Sequence, residues 1–192
     1  NPSGDVYSPN EMTDIAAMLR RHPHVWLASD EIYRHICFVP FTSFRDTASD
    51  LVDRMLIIDG VSKAYAMTGW RIGWGIGPAP LIEAMAAVQG QSTSGASSIS
   101  QAAALAALTG RKELISERLE IYRRRRDRVV SRLNSIEVLD CPIPDGAFYV
   151  FPSCVRAIGL KNRQGTVISN DADFCAHLLE TTNVAVVPGA AF

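Results

Sequence analysis

The chain has 192 residues, of which 47% are hydrophobic and 20% are charged. These values are ordinary for a globular protein, so a disordered or collagen-like chain is excluded. The 19 Lys and Arg residues and the 20 Asp and Glu residues leave a net charge of −1. Proteins that bind nucleic acid usually carry a basic excess, so nucleic acid is disfavoured as a partner. No apolar stretch reaches the roughly 18 residues that a membrane-spanning helix needs, and no membrane partner is expected.

The first two thirds of the sequence alternate between helix and strand signals. Ser8 and Glu11 have the spacing of a capping box, and Pro9 suits a first helical turn, so a helix is predicted from there to residues 22–23. Apolar runs predict strands at 25–29, 55–60 and 72–77, and further segments predict helices at 80–88, 101–108 and 112–133, with a Gly- and Ser-rich loop at 89–100. This alternation predicts an α/β fold, with a mostly parallel sheet and flanking helices. Its core is expected to include Trp26, Trp70 and Trp74.

The character of the sequence changes after Leu133. Short strands are predicted at 137–139, 147–151 and 184–187, with a turn at 144–146 and a helix at 171–180 that Asn170 or Asp171 caps. These elements predict a smaller α+β domain, joined to the first by the long helix. The boundary is placed near residue 125, so that residues 1–125 and 126–192 form the two parts.

The cysteine and histidine residues give no sign of a metal site. Cys37, Cys141, Cys154 and Cys175 form no CxxC pair, and they are interpreted as reduced thiols of a cytoplasmic protein. His22, His24 and His35 have no carboxylate at ligand spacing, so surface and packing roles are favoured over a metal centre.

Candidate chemical groups follow the predicted strands. Ligands of parallel sheets bind beyond the carboxyl ends of strands, which makes Asp30 and Lys63 candidates by position. A partly buried lysine loses its charge readily and becomes the nucleophilic amine that a Schiff base needs. The Ser62 hydroxyl and the Arg71 guanidinium suit a phosphate group. The glycines at 73–77 do not match a dinucleotide-binding loop, because their spacing differs and Pro78 follows.

Several motifs together resemble one enzyme family. Residues 62–73, with the pattern SKxxxMTGWRxG, resemble the cofactor-lysine motif of class I (fold type I) aminotransferases, pyridoxal-phosphate enzymes of the aspartate aminotransferase type. Residues 1–4 are similar to that family's NP[TS]G turn, and residues 30–33 resemble its D-E-x-Y element. Residues 145–149 resemble a strand of its small domain, and residues 187–192 resemble a segment just before its C-terminal substrate-binding arginine. The resemblance covers the whole chain, and it implies that residues 1–125 belong to the large cofactor-binding domain and 126–192 to the small one.

The resemblance also implies roles for particular residues. Lys63 would form the Schiff base with pyridoxal 5′-phosphate and then move the substrate proton, and Asp30 would pair with the protonated ring nitrogen. Without the resemblance, a helix N-cap remains an alternative for Asp30. Tyr33 and Asn1 would bind the ring 3′-oxygen, and Asn1 would also touch the substrate carboxylate. Ser62 and Arg71 would hold the phosphate, and no metal is implied.

The implied activity is transamination between an amino acid and a 2-oxo acid in a homodimer. Residues 60–101 resemble the bacterial aspartate aminotransferase branch, which suggests aspartate or glutamate as donor, and some members of that branch also take prephenate. The loop at residues 92–95 is expected to reach the neighbouring subunit's site. The alternatives are an aromatic, prephenate, alanine or kynurenine aminotransferase, a lyase on the same fold, or a cofactor-sensing domain of a transcription regulator.

The chain is expected to be a fragment of a longer protein. It lacks an initiator Met and has abrupt ends at Asn1 and Phe192. In the family, the phosphate-binding glycine loop lies upstream and the carboxylate-binding arginine lies downstream of such a segment. The isolated chain is therefore expected to be inactive, and a separate folding or dimerisation domain is the alternative interpretation.

Overall fold

The computed structural model describes residues 2–162 and 165–192. These residues form two compact units. The sheet unit comprises residues 6–120, and the C-terminal unit comprises residues 121–192 together with 1–5. The assignment of residues 1–125 and 126–192 to parts of a large and a small domain stays a prediction.

The first helix of the sheet unit, α1 (Pro9–Arg21), begins at the predicted capping box. The Ser8 hydroxyl accepts a hydrogen bond from the Glu11 N–H at 3.3 Å, and Glu11 Oε2 accepts one from the Ser8 N–H at 2.8 Å. These bonds satisfy backbone donors that the first helical turn leaves open. The buried face of α1 joins the main core, which contains Met12, Ala16, Leu19, Phe44, Ala48, Leu51, Met55 and Ile57. The predicted helix and its cap are confirmed.

Three strands form one sheet in the order β1 (Leu27–Asp30), β2 (Met55–Gly60) and β3 (Gly73–Ile76). β1 and β2 are parallel, with Asp30 opposite Ile58. β2 and β3 are antiparallel, with Gly60 opposite Gly73. A short helix, α2 (Phe44–Thr47), and a 3₁₀ turn at Ser49–Arg54 lead into β2. The predicted α/β class and its three strands are confirmed, and the described part of the sheet holds one parallel and one antiparallel pair.

Of the three helices that follow the sheet, the first two are longer than predicted, and the third has the predicted length and is shifted by one residue. They are α3 (Ala79–Ser92), α4 (Ser98–Thr109) and α5 (Glu113–Asn134). The prediction of a loop over 89–100 is therefore wrong at both ends. Gln and Ser are tolerated in helices, and helical hydrogen bonding continues through Gly90 at a modest cost. The irregular segment left between α3 and α4 is residues 93–97.

The core placement of two tryptophans is also wrong. Trp26 is 55% exposed and Trp70 is 43% exposed. Trp74 packs against a second cluster, formed by Val61, Ile72 and Ala104. Large aromatic side chains are rarely fully buried, so their apolar character predicts burial poorly.

The C-terminal unit contains the end of α5 and the predicted helix α6 (Asp171–Thr182), which Asn170 caps by accepting the Asp173 N–H at 2.8 Å. The strands predicted at 137–139, 147–151 and 184–187 are wrong for the described residues. Among the described residues there, the structure has isolated bridges, such as Asp140 with Ser153 and Lys161 with Val167. A strand needs a neighbour along its length, and single bridges do not supply one.

Short 3₁₀ turns complete the described elements, at Thr68–Trp70, Val155–Ala157 and Gly189–Ala191. Among the described helices, none combines the length and the apolarity that crossing a membrane requires. The structure has no disulfide among Cys37, Cys141, Cys154 and Cys175.

Candidate active site

Asp30 lies at the carboxyl end of β1, where its side chain is exposed. Its Oδ1 accepts a hydrogen bond from the Ile32 N–H at 3.1 Å. That bond closes a local turn, so the chain bends away directly after the strand. No helix begins at this point in the described chain, so the alternative role as a helix N-cap does not apply.

Lys63 follows the end of β2 and lies in a turn that is fixed by main-chain bonds. Its neighbour Val61 is fully buried, and the Met67 N–H donates to the Ser62 carbonyl at 3.1 Å. The Lys63 Nζ atom lies 5.8 Å from the centre of the Tyr33 ring, within the range of a cation–π contact. Two predicted site residues from separate segments therefore come together. Both side chains are half-buried.

The turn that carries Lys63 is also held from helix α5. Arg118 Nη1 donates to the carbonyl oxygen of Ala64 at 3.3 Å. Ala64 itself is buried, with 4% exposure. This contact ties the residue after Lys63 to a long helix, which limits movement of the turn.

Ser62 and Arg71 lie at the same end of the antiparallel pair of β2 and β3. The Val61 N–H donates to the Ile72 carbonyl at 3.3 Å, so the pairing continues one residue beyond Gly60 and Gly73. Ser62 and Arg71 are the next residues outward on the two segments. The same antiparallel register therefore brings their backbones to adjacent positions, although the two residues are nine positions apart in the sequence.

Arg71 adopts an unusual backbone conformation. Its φ is 55°, in the left-handed region that costs a non-glycine residue about 1–2 kcal/mol. Its Nη1 donates to the Thr68 carbonyl at 3.0 Å, and the residue is exposed. Such strain persists where the surroundings determine the conformation, and it concentrates at functional sites.

Two buried carboxyl groups beside this edge of the sheet were not identified from the sequence. Asp59 is 7% exposed and Glu31 is 3% exposed. Asp59 Oδ1 accepts the Gly60 N–H at 2.7 Å, and Oδ2 lies 3.8 Å from Arg34 Nη1. Burial raises the pKa of Asp59, and the Gly60 bond and the Arg34 charge oppose that shift. The sequence feature that marks Asp59 is its position as a single acid directly after the apolar run 55–58.

His35 extends the charged group around Asp59. Partial burial and the neighbouring Arg34 charge lower the pKa of His35, and the Asp59 carboxylate acts in the opposite direction. Among residues 2–162 and 165–192, no set of three or more His, Cys, Asp or Glu side chains is arranged to hold a metal ion.

Asn1, the remaining predicted site residue, lies outside the described residues. The turn that follows it is anchored within the C-terminal unit, because the Gly146 N–H donates to the Gly4 carbonyl at 2.7 Å. Gly4 has a φ of 77°, and a Cβ there would lie 2.5 Å from the Pro144 side chain. The loop at 92–95 contains two left-handed residues, Ser94 and Gly95. Its predicted contact with a neighbouring subunit stays a prediction.

The donor set around β1, β2 and β3 fits pyridoxal phosphate by its chemistry. Lys63 offers an amine beside an aromatic ring, and Asp30 offers an exposed carboxylate for a ring nitrogen. Ser62 and Arg71, which flank the paired residues Val61 and Ile72, offer a hydroxyl and a guanidinium, a combination that binds phosphate.

A sequence model of the family described as "Aminotransferase class I and II" matches residues 1–192. The chain belongs to this aminotransferase family. It is 52% identical over 194 residues to a protein named aspartate aminotransferase from Rhizobium meliloti strain 1021, and 48% identical to one named aspartate/prephenate aminotransferase from Cereibacter sphaeroides. Each match covers all of this chain, and 47% and 48% of those proteins.

Solved structures agree with this family assignment. The chain matches the crystal structure of the aspartate aminotransferase from Rhizobium meliloti with a TM-score of 0.95 and 51% identity, covering 100% of this chain and 48% of that one. It matches the aromatic aminotransferase from Pyrococcus horikoshii with a TM-score of 0.88 and 32% identity, covering 100% and 49%. This aminotransferase chain thus spans about half the length of the curated relatives it matches.

Proposed function

We propose that the protein containing this chain is a pyridoxal-phosphate-dependent aminotransferase that moves an amino group between aspartate or glutamate and a 2-oxo acid. The observation that carries the proposal is the approach of the Lys63 amine to the Tyr33 ring, at the edge of the sheet where Asp30 ends β1. Membership of the aminotransferase family supports it, as does the resemblance of residues 62–73 to the cofactor-lysine motif.

Pyridoxal phosphate, when bound, supplies an aldehyde that captures amines and a cationic ring that withdraws electrons from the substrate Cα. Lys63 would hold the cofactor through Nζ, and after release it would move a proton between the substrate Cα and the C4′ carbon of the cofactor. Lys63 lies in a turn between the buried residues Val61 and Ala64, and the bond from Arg118 to Ala64 fixes the main chain that carries the amine. Proton transfer depends on such positioning, because the amine must lie within hydrogen-bond reach of the atom it serves.

The other site residues would bind and orient the cofactor and the substrate. Asp30 accepts a hydrogen bond from the protonated ring nitrogen and keeps that nitrogen charged. Ser62 and Arg71 bind the phosphate, the arginine as a charged donor and the serine as a neutral one. The Tyr33 hydroxyl would donate a hydrogen bond to the ring 3′-oxygen. Asn1 is proposed to bind the same oxygen and the substrate carboxylate, on the basis of the resemblance of residues 1–4.

The donor specificity is proposed to be that of the aspartate branch. The relatives from Rhizobium meliloti and Cereibacter sphaeroides are named for aspartate and for aspartate with prephenate. Prephenate is therefore the second candidate acceptor. A panel of aspartate, glutamate, phenylalanine, alanine and kynurenine as donors, with 2-oxoglutarate and prephenate as acceptors, distinguishes these possibilities. A cytoplasmic homodimer is proposed as the working form of the whole protein.

Reductive trapping on the full-length protein tests the cofactor assignment. The protein is incubated with pyridoxal phosphate, reduced with borohydride and mapped by mass spectrometry. We expect the adduct on Lys63, whereas Lys112 and Lys161, the other lysines of this sequence, remain unlabelled. Lys63→Ala removes the adduct, and Lys112→Ala is the matched control that keeps it. Equal labelling of all three lysines, or labelling that survives in Lys63→Ala, contradicts the proposal.

A further inference from the structure

The buried carboxylate of Glu31 has no part in the proposed chemistry, although it follows Asp30 directly. Its Oε1 accepts three hydrogen bonds, from the Ser43 hydroxyl at 2.7 Å, the Ser29 hydroxyl at 3.3 Å and the Phe44 N–H at 3.3 Å. A carboxylate removed from water is costly unless hydrogen bonds compensate it. The three hydrogen bonds to Oε1 therefore indicate that Glu31 holds separate parts of the chain together in the fold.

The two ends of one segment meet at this carboxylate. The Glu31 N–H donates to the Ile58 carbonyl at 2.8 Å, which fixes Glu31 to β2. Ser43 stands at the N-cap position of α2, but its side chain makes no capping bond to that helix. Glu31 supplies the missing acceptor by binding the Phe44 N–H. Residues 32–42 thus leave the sheet at Glu31 and return to the same side chain at Ser43.

Tyr33 lies within this closed segment. The Arg34 N–H donates to the Glu31 carbonyl at 2.8 Å, and the Ile36 N–H donates to the Tyr33 carbonyl at 2.7 Å. These main-chain bonds fold residues 31–36 into successive turns, and the Tyr33 ring within that stretch lies 5.8 Å from Lys63 Nζ. We infer that Glu31 is a positioning residue, which closes the 32–42 segment and so holds Tyr33 against Lys63. The part of this inference that concerns the cofactor rests on the proposed function.

The acceptor atom, and not the charge, carries this role. Within residues 2–162 and 165–192, the buried Oε2 atom of Glu31 has no hydrogen-bond partner. Glutamine keeps an acceptor oxygen at the Oε1 position, loses the charge and places an NH2 group at the position of Oε2. Glu31→Gln should therefore retain the closed segment, and Glu31→Ala should open it. Ser43→Ala removes only the shortest of the three bonds and is the milder variant if Glu31→Ala fails to fold.

The first measurement uses the full-length protein without added cofactor. Amide hydrogen exchange of residues 32–42 is compared in the wild type, Glu31→Ala, Glu31→Gln and Ser43→Ala. Leu19→Ala is the matched control, because it removes a buried side chain from the same unit without removing a bond to Glu31. We expect exchange at least about tenfold faster in Glu31→Ala, which removes all three hydrogen bonds to Oε1, and near wild type in Glu31→Gln and Leu19→Ala.

The second measurement uses pyridoxal phosphate as the probe. Tyr33 is proposed to bind the ring oxygen, so its displacement changes the pH midpoint of the visible absorbance of the bound cofactor. We expect that midpoint to shift in Glu31→Ala and Ser43→Ala, and to return to the wild-type value in Glu31→Gln. Leu19→Ala lowers the melting temperature but leaves the midpoint in place.

Two outcomes overturn the inference. In one, Glu31→Ala changes only the melting temperature, as Leu19→Ala does, with segment 32–42 exchanging as in the wild type. In the other, Glu31→Gln opens the segment as fully as Glu31→Ala, so that an acceptor oxygen at the Oε1 position is not what closes it. If the wild type forms no adduct at Lys63, the proposed function fails, and the exchange measurement alone still decides whether Glu31 closes the segment.

Discussion

Asp59 is a single acid in the otherwise apolar strand β2, and burial raises the pKa of its carboxyl above the usual 3.8. The folded protein therefore retains the proton at pH values where the unfolded chain has lost it. The contribution of Asp59 to the free energy of unfolding falls as the pH rises from 3.8 through the raised value. The Asp59→Asn variant has no carboxyl group to titrate at this position. Its free energy of unfolding relative to that of the wild type should therefore increase as the pH rises through this range. Urea midpoints of the full-length protein at a series of pH values measure the difference.

Asp50 provides a control in which the expected pH dependence of stability is opposite to that of Asp59. Its carboxylate pairs with Arg20, with 2.7 Å between Oδ1 and Nη2, and this hydrogen-bonded pair lowers the pKa of Asp50. Stability from that pair is present above pH 3.8 and is lost as the pH falls through the lowered value. Asp50→Asn should therefore lose stability relative to the wild type as the pH rises toward 3.8, and then level off. Parallel pH profiles for Asp59→Asn and Asp50→Asn would contradict the assignment.

At the residue scale, the sequence identifies groups by chemistry but not by burial. Lys63, Asp30 and Tyr33 were found because they follow apolar runs and match a family motif, and the structure places Tyr33 beside Lys63. Glu31 and Asp59 were missed because their burial depends on Ser43, Phe44 and Arg34, which are distant in the sequence. Tertiary contacts of this kind leave no local pattern that periodicity detects.

At the element scale, the pairing of β2 with β3 sets the distance between the two proposed phosphate ligands. A Cβ on Gly60 would lie 2.8 Å from the Ile72 carbonyl oxygen and 3.0 Å from the Gly73 Cα, both main-chain atoms. Gly60→Ala should force the strands apart at the point where Ser62 and Arg71 follow. Overpacking of this kind costs about 1–3 kcal/mol, so we expect a lower melting temperature and roughly tenfold weaker pyridoxal phosphate binding.

Gly69→Ala is the matched control for that substitution. Gly69 lies in the same sequence motif, but a Cβ there would meet no atom within 4 Å. Cofactor titration followed by fluorescence should give the wild-type affinity for Gly69→Ala. Equal affinities for Gly60→Ala and the wild type would show that the pairing does not set the phosphate site.

Elements whose hydrogen bonds are internal were predicted well, and elements that need distant partners were not. Helix α1 was predicted from its cap and its apolar face, because a helix satisfies most of its backbone groups within itself. The strands at 147–151 and 184–187 were predicted from apolar runs, but among the described residues they find no continuous neighbour. An apolar run indicates that a segment prefers burial, but whether the segment forms a strand depends on a neighbouring strand with which it pairs.

At the scale of the whole molecule, many large apolar side chains of this chain remain exposed. The most exposed are Ile99 and Phe192 at 74%, Val88 and Val155 at 71%, Ile143 at 66%, Val187 at 65% and Leu105 at 63%. Exposed apolar side chains in such number favour association, and relatives with twice the length have further chain to cover them. Residues 1–192 produced alone should therefore self-associate, whereas the full-length protein should run as one discrete species in light scattering.

The same comparison tests whether the cofactor site is complete within this chain. The proposed ligands Ser62 and Arg71 supply only part of what a phosphate requires, and the resemblance places further phosphate and carboxylate ligands outside residues 1–192. Residues 1–192 alone should therefore give little Lys63 adduct after borohydride reduction and no transamination. The full-length protein should approach one adduct per chain, and Lys63→Ala of that protein should give none. Stoichiometric, Lys63-specific labelling of residues 1–192 alone would show instead that Asp30, Tyr33, Ser62 and Arg71 suffice to bind the cofactor.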